Sequence, residues 1–242
     1  MKPPLTLAIE TSNPSAQGTE GSRPAVALVS SGGSGGLSVF QTLALEPVDT
    51  RPHTDDLVAA IDRLFKLAGR QPRDLTHVAV SAGPGGFTAV RLAVTAAKMI
   101  CEATGAACIA VPTAHALARR VSNTSPFGVA LASKGSTTYL TRFSADGQSL
   151  DQGRIIDASG LEAGGLTLLI VDQFVPEPIR LRAAELNIRI APPTFDPVAV
   201  GEAAQHIAPI DPADLLPIYP REPEAVTKWK QLHGQSAPEE KI

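Results

Sequence analysis

Between residues 81 and 98 the chain reads SAGPGGFTAVRLAVTAAK, with three glycines and a proline ahead of a long apolar run. A glycine-rich turn leading from a strand into a helix aims backbone amides out of the helix N-terminus, where they can hold an anion. The amides of Gly85, Gly86 and Phe87 are placed for that work. The turn Glu10-Thr11-Ser12-Asn13 offers hydroxyls of the kind an Asp-x-Gly-Thr phosphate loop uses, without its glycine. A candidate anion or nucleotide site therefore comprises Thr11, Ser12, Gly83, Gly85 and Gly86. The spacing fits neither familiar fingerprint. A Walker loop needs Gly-Lys-Ser/Thr where Gly86-Phe87-Thr88 stand, and a dinucleotide loop needs a third glycine at Thr88. The glycines read mainly as a tight turn.

Other reactive side chains are sparse. Gly32-Gly33-Ser34-Gly35-Gly36 matches G-x-S-x-G in form, but a nucleophile elbow joins a strand to a helix. Here LSVFQTLAL, a strand pattern, follows. His115 has no partner at metal-ligand spacing, so it reads as structural and no metal is expected. Two cysteines, Cys101 and Cys108, lie in apolar surroundings, too few for a disulfide framework or a cysteine-ligated zinc.

The elements that must position these residues follow from periodicity. Strands are expected at residues 5–11, 25–31 and 37–45, a helix at 54–68, a strand at 76–82 and a helix from Phe87 to Gly105. A strand at 106–111 and a helix at 113–121 follow. Three meandering strands and then alternating helix and strand make an α/β layer with a mixed sheet, the order of a ribonuclease H-like unit. The second half is expected to hold strands at 127–132, 138–144 and 166–171 and helices at 180–186 and 198–206. The domains read as an N-terminal lobe over 1–122, a smaller lobe over 123–233 and a flexible polar tail over 234–242.

Bulk properties narrow the function. A net charge of −3, a pI near 6.0 and 4% aromatic residues do not suit a direct nucleic-acid grip. MKPPLTLAIETS lacks the apolar core and cleavage pattern of a signal peptide, and no apolar run suits a bilayer, so a cytoplasmic protein without membrane association is expected.

The helix from Phe87 is unusually apolar. Thr88, Arg91, Thr95, Lys98 and Glu102 form one narrow polar stripe, and almost everything else up to Cys101 is hydrophobic. A helix facing one sheet and otherwise water is about half polar. This one expects cover on two sides, from its own chain or from a partner. Ala89, Ala93 and Ala97, at four-residue steps, would let a second helix approach closely.

SAGPGGFTAVRLAVTAAKMI resembles the GPGSFTGLRIG…AKGLA segment of the TsaB (YeaZ) proteins of bacterial tRNA threonylcarbamoyladenosine biosynthesis. LTLAIETS resembles their LAIDTS opening, RPHTDDLVAAIDRLF their first helix, and PIYPREPEA their P-x-Y-x-R-x-P-x-A ending. The matches keep the family's order and span most of the chain.

The resemblance implies an actin-like fold, a duplicated ribonuclease H-like α/β unit with two lobes of mixed sheet flanked by helices. It implies a non-catalytic scaffold that needs no cofactor of its own. Its partners would be a TsaD-like catalytic paralogue and a TsaE-like ATPase that binds the ATP, with tRNA reached only through the complex and a homodimer when the chain is alone. The helices at 54–68 and 87–105 would build the subunit interface through Leu57, Ile61, Ala89, Val90, Ala93, Val94 and Ala97, with Arg91 and Lys98 at its rim. TsaD-like chains carry a His-x-x-x-His metal pair, and those positions fall on Thr113 and Leu117. Departures from the TsaB pattern are an insertion at 13–24 and the stretch 132–137. There Ala132, Lys134 and Thr137 replace the family's Asp, Arg and Glu. Two alternatives remain at this stage: an actin-like ATPase or kinase, although Asp172-Gln173-Phe174 lacks the paired glycines of an adenosine clasp, and a repurposed interaction protein on the same fold.

Overall fold

The structure, a computed structural model, describes residues 4–13, 23–31, 37–45, 57–221, 229 and 232. The expected helix start at 54–56, the serine-glycine loop at 32–36, most of the insertion (14–22) and the tail at 234–242 lie outside them.

The first sheet holds β1 (Leu5–Glu10), β2 (Ala25–Ser31), β3 (Leu37–Ala44), β4 (Leu75–Gly83) and β5 (Ala107–Pro112) in the order β3-β2-β1-β4-β5. The first three strands pair antiparallel, and β4 and β5 add in parallel. Period-two alternation serves both faces of the sheet. Leu5, Leu7 and Ile9 of β1 join a core with α1 (Leu57–Ala68) and α2 (Phe87–Thr104), whereas Ala8 joins Ile109, Val111 and Val200 on the other side. Arg70 closes α1 by donating its amide to the Phe65 carbonyl. Gly105 caps α2 in the left-handed region, with its amide on the Cys101 carbonyl.

The second sheet repeats the first. It holds β6 (Phe127–Ala132), β7 (Thr138–Phe143), β8 (Arg154–Ile156), β9 (Leu168–Val171) and β10 (Arg189–Ala191) in the order β8-β7-β6-β9-β10. Again the first three strands are antiparallel and the last two parallel. α4 (Glu177–Glu185) follows β9 as α2 follows β4, and α5 (Pro197–Ala204) follows β10 as α3 (Thr113–Ala118) follows β5. Two lobes with mixed five-stranded sheets, one a copy of the other in topology, are therefore present. The correspondence has gaps: α4 has nine residues against eighteen in α2, and no helix stands between β8 and β9 where α1 stands in the first lobe.

α3 and α5 form the layer between the sheets. Ala114, Leu117 and Ala118 pack against Phe127, Val129 and Leu168 of the second sheet, while Ala116 and Val200 pack against the first. Arg120 pins the two helices together. Its Nε donates to Asp196, the N-cap of α5, at 2.7 Å and its Nη1 donates to Glu202 at 2.6 Å.

After α5 the chain returns to the first lobe. Ile210 donates its amide to the Cys108 carbonyl at 2.8 Å, Leu215 is fully buried in the core beside α2, and Ile218 donates its amide to the Ala82 carbonyl at 2.7 Å. This strap is the second cover that the apolar α2 requires, and it corrects the expected interface. Leu57, Ile61, Ala89, Val90, Ala93, Val94 and Ala97 are all buried within this one chain, so they hold the lobe together and cannot meet a partner.

Ala93 is completely buried between helix and sheet. Ala93→Arg should therefore cost more than about 4 kcal/mol, because an unpaired cation would enter the core. Chemical denaturation of the purified variant checks this, and a wild-type midpoint would contradict the core assignment.

Candidate partner interface and glycine loop

The turn at the end of β1 and the glycine loop at the end of β4 meet face to face, and the Thr11 and Ser12 hydroxyls and the Ser12 and Gly86 amides bond within the pair of turns and the start of α2. Glu10 ends β1 with almost no exposure. Its Oε1 accepts from the Ser12 amide at 2.7 Å and from the Ser12 hydroxyl at 2.6 Å. The Ser12 carbonyl accepts the Gly86 amide at 2.6 Å, and the Thr11 hydroxyl donates to the Ala89 carbonyl at 3.3 Å. Gly85 presses so closely on Ser12 that a Cβ there would lie 2.3 Å from the Ser12 carbonyl oxygen. Gly83 has φ near +108° and would place a Cβ 2.9 Å from the Ile218 carbonyl oxygen.

These contacts favour a turn at this position. The five residues proposed from sequence do converge. Ser12, however, gives both its amide and its hydroxyl to a carboxyl group, Thr11 gives its hydroxyl to α2, and Gly86 gives its amide to Ser12. Gly83 and Gly85 serve close backbone approach. The loop is a clasp joining β1, α2 and the returning strap, buried at Thr11, Ser12 and Gly83 and open to the surface at Gly85.

Glu10 is the unusual member of the clasp. Burial pushes its carboxyl up from the ordinary carboxylate range, against the two hydrogen bonds from Ser12 and the nearby Ser81 hydroxyl, and the charge of Asp196 adds to the upward push. Oε2 is buried and makes no hydrogen bond of ordinary geometry. Next to it in the fold, the Ser81 and Thr113 hydroxyls bond each other at 2.9 Å.

The positions that the resemblance assigns to a metal pair do not fit a metal. Thr113 is fully buried with its hydroxyl on Ser81, and Leu117 lies in the apolar core under the second sheet. His115 packs edge-on against Phe143 at 5.5 Å. Burial and then the charge of Arg119 push its imidazole below the usual histidine range. Among the described residues no group of three His, Cys, Asp or Glu side chains could hold a metal ion. In the second lobe Asp172 turns its Oδ1 back to accept the Phe174 amide at 2.8 Å, and Phe174 projects outward.

The exposed side of α2 has a different character. Met99 is 67% exposed, Phe87 60% and Leu92 39%, all on a helix whose other apolar residues are almost all buried. Leu92 and Met99, two turns apart, lie beside Thr88 and Thr95 on one outward ridge. At its N-terminal end Phe87 packs on Tyr219 of the strap, with ring centroids 5.4 Å apart, and the Arg91 guanidinium lies 4.9 Å from the centre of the Phe87 ring. Lys98 is partly turned away, its Nζ donating to the Ala213 carbonyl at 2.9 Å. α1, under the same face of the sheet, exposes Val58 and Leu67. At the far end of the strap Arg221 donates to the Thr137 hydroxyl at 2.5 Å, so the PIYPR segment (217–221) runs from the glycine clasp to the β6–β7 hairpin of the second lobe.

Arg91 and Lys98 thus stay at the surface as expected, but the apolar residues beside them are Phe87, Leu92, Met99 and Tyr219. The sequence carried a signal for two of these. Leu92 and Met99 fall next to the polar stripe on the helical wheel, between it and the alanine row.

Comparison with known proteins places the whole arrangement. Residues 47–206 match the family model described as TsaD: tRNA N6-adenosine threonylcarbamoyltransferase. Among solved structures, the chain is similar to a protein described as uncharacterized with similarity to peptidase YEAZ from Pseudomonas aeruginosa. The identity is 18% and the TM-score 0.67, over 90% of this chain and 100% of that one. It is also similar to YeaZ from Pseudomonas aeruginosa, at 16% identity and a TM-score of 0.66, over 89% of this chain and 99% of that one. At these identities the two structures bear on the fold, which they share with this chain.

Glu10 gives a pH prediction. Below the ordinary carboxylate pKa both folded and unfolded chains carry the proton. As pH rises from there through the raised folded value, only the unfolded chain releases it, so stability falls. Unfolding free energy measured across that range should decline for the wild type, and Glu10→Gln should remove that decline. A variant with the wild-type slope would show that Glu10 is not the group responsible.

Proposed function

We propose a function from one premise: the chain belongs to the TsaD family, tRNA N6-adenosine threonylcarbamoyltransferase, which ties it to formation of threonylcarbamoyladenosine in tRNA. Within that pathway its role is that of a TsaB-like accessory subunit. It binds and supports a TsaD-like catalytic paralogue, and it does not perform the transfer itself. ATP is handled by other subunits, including a TsaE-like ATPase, and tRNA is reached through the assembled complex.

The observation that carries this reading is the outward ridge of α2. Evolution of a soluble surface does not favour Phe87, Leu92 and Met99 together in water, and clustered exposed apolar residues mark association sites. Phe87, Tyr219 and Arg91 supply the aromatic and guanidinium anchors that concentrate binding energy at interfaces. The absence of catalysis is inferred from positive features of the chain. Where a metal pair would stand there is a buried threonine and a buried leucine, and the phosphate-loop positions are engaged in the clasp. The same features disfavour an actin-like ATPase. The chain alone would pair with itself through the same ridge.

The ridge residues are exposed, so replacing them should leave the fold intact. Leu92→Asp combined with Met99→Asp should change unfolding stability by no more than about 0.5 kcal/mol per site. The same variant should weaken binding of the TsaD-like partner by at least about tenfold, because two apolar contacts become charges in a closed interface. Titration calorimetry with the purified partner reads this, and unchanged affinity of a folded variant would overturn the assignment.

A further inference from the structure

A cleft in the second lobe takes no part in the clasp or the ridge. Its volume is about 190 Å3, and it opens where the end of α3 meets the first residues of β9 and β10. The register pairs Arg189 with Leu168 and Ala191 with Ile170, so all four side chains lie on the face of the sheet that α3 covers. Leu117 of α3, Leu168 and Ile170 supply apolar walls that belong to the lobe core. The polar groups at the cleft are unspent. Among the described residues the Arg189 guanidinium makes no hydrogen bond or ion pair, and the Ser122 and Thr194 hydroxyls make no hydrogen bond; all three residues are exposed. Arg120 also lines the cleft, but Asp196 and Glu202 hold its guanidinium at 2.7 and 2.6 Å. Those two carboxylates more than balance its charge. They repel a further anion there and leave Arg189 as the cation that can receive one.

We propose that this cleft binds a small carboxylate carried on a compact branched or aromatic hydrocarbon group. The carboxylate accepts from the Arg189 guanidinium and from the Ser122 and Thr194 hydroxyls, and the hydrocarbon lies against Leu117, Leu168 and Ile170. All three unspent groups can donate, and a guanidinium fork matches the two oxygens of a carboxylate. Pockets for drug-sized ligands enclose about 300–1,000 Å3, so this smaller space suits a ligand well below the size of a nucleotide. The neighbouring sheet edge disfavours an extended peptide. Arg189 donates its amide to the Thr167 carbonyl beside β9, and Ala191 continues the same pairing, which leaves Ile190 alone to turn its amide and carbonyl outward. Pro192 and Pro193 follow and have no N–H to offer a further strand. The place is also unlike the usual one for this type of sheet. Ligands of open α/β sheets sit at the carboxyl ends of the strands, whereas Leu168 and Arg189 are the first residues of β9 and β10.

The inference does not depend on what docks on α2. Its test is a backbone NMR titration of the full, folded chain with isocaproate and with benzoate, each compared with its uncharged carboxamide at matched ionic strength. One or both carboxylates should shift the backbone signals of Ser122, Arg189, Ala191 and Thr194 in a saturable way, with half-saturation below about 10 mM. The matching carboxamide should bind at least about fivefold more weakly. Arg189 is exposed, so Arg189→Gln should stay folded and lose at least about fivefold in carboxylate affinity. Ala191→Leu places a larger side chain in the cleft and should weaken carboxylate and carboxamide alike. Four results would each overturn the proposal: no saturable shift from either carboxylate, shifts scattered over other surface arginines, equal binding of carboxylate and carboxamide, or wild-type affinity in Arg189→Gln. The comparison of carboxylate with carboxamide on the wild-type chain stands even if a variant folds poorly.

Discussion

The first sheet is finished by the far end of the chain, and most of the structure depends on that closure. α5 covers the inner face of β1 and β2, and the strap that follows lays Leu215 and Ile218 against α2 and the glycine clasp. Burying Leu215 completely is worth roughly 1.5–3 kcal/mol, with a smaller share from the partly buried Ile218, and their loss would strip α2 of its second cover. The clasp depends on the same closure. Gly83 lies against the Ile218 carbonyl, and Gly85 and Gly86 lie against Ser12, so strap, β1 turn and helix start are held as one unit.

That unit sits at one end of a duplicated fold. Two identical sheet topologies face each other across α3 and α5, with Arg120 bridging both helices. In a nucleotide-binding version of this architecture the paired turns would open toward a ligand between the lobes. Here the first-lobe turns close on their own carboxyl and carbonyl groups. The second lobe has shed the counterpart of α1 and half the length of α2. Among the surfaces that the packing of the described residues leaves open is the outer ridge of α2, with Tyr219 from the strap set against its first residue. No helix among the described residues is long and apolar enough to cross a membrane.

Much of this was legible from sequence where the signal is local. The first-lobe strands and α2, with its stop at Gly105, follow from alternation, helical spacing and the glycine cap. β8 and β10 were not legible, because three residues such as Arg154–Ile156 carry no period to read. The interface was misread for a different reason. Periodicity shows that α2 needs cover on two sides, but Lys98 meets Ala213 across 115 positions, and nothing local says that the strap supplies the cover. The clasp was half visible: its glycines and hydroxyls were identified as one group, yet only the structure shows Glu10 absorbing the Ser12 donors. The TsaB-like motifs were legible throughout and agree with the fold and the family found.

The most direct measurement is a reconstituted transfer assay with the threonylcarbamoyl-adenylate donor and an ANN-decoding tRNA, run with this chain alone, the TsaD-like partner alone and both together. The account holds that this chain alone forms no threonylcarbamoyladenosine, and that adding it to the partner raises the yield well above the partner's own. Modification of tRNA by this chain in the absence of any partner, or no effect of it on the partner, would contradict the reading of it as a supporting subunit.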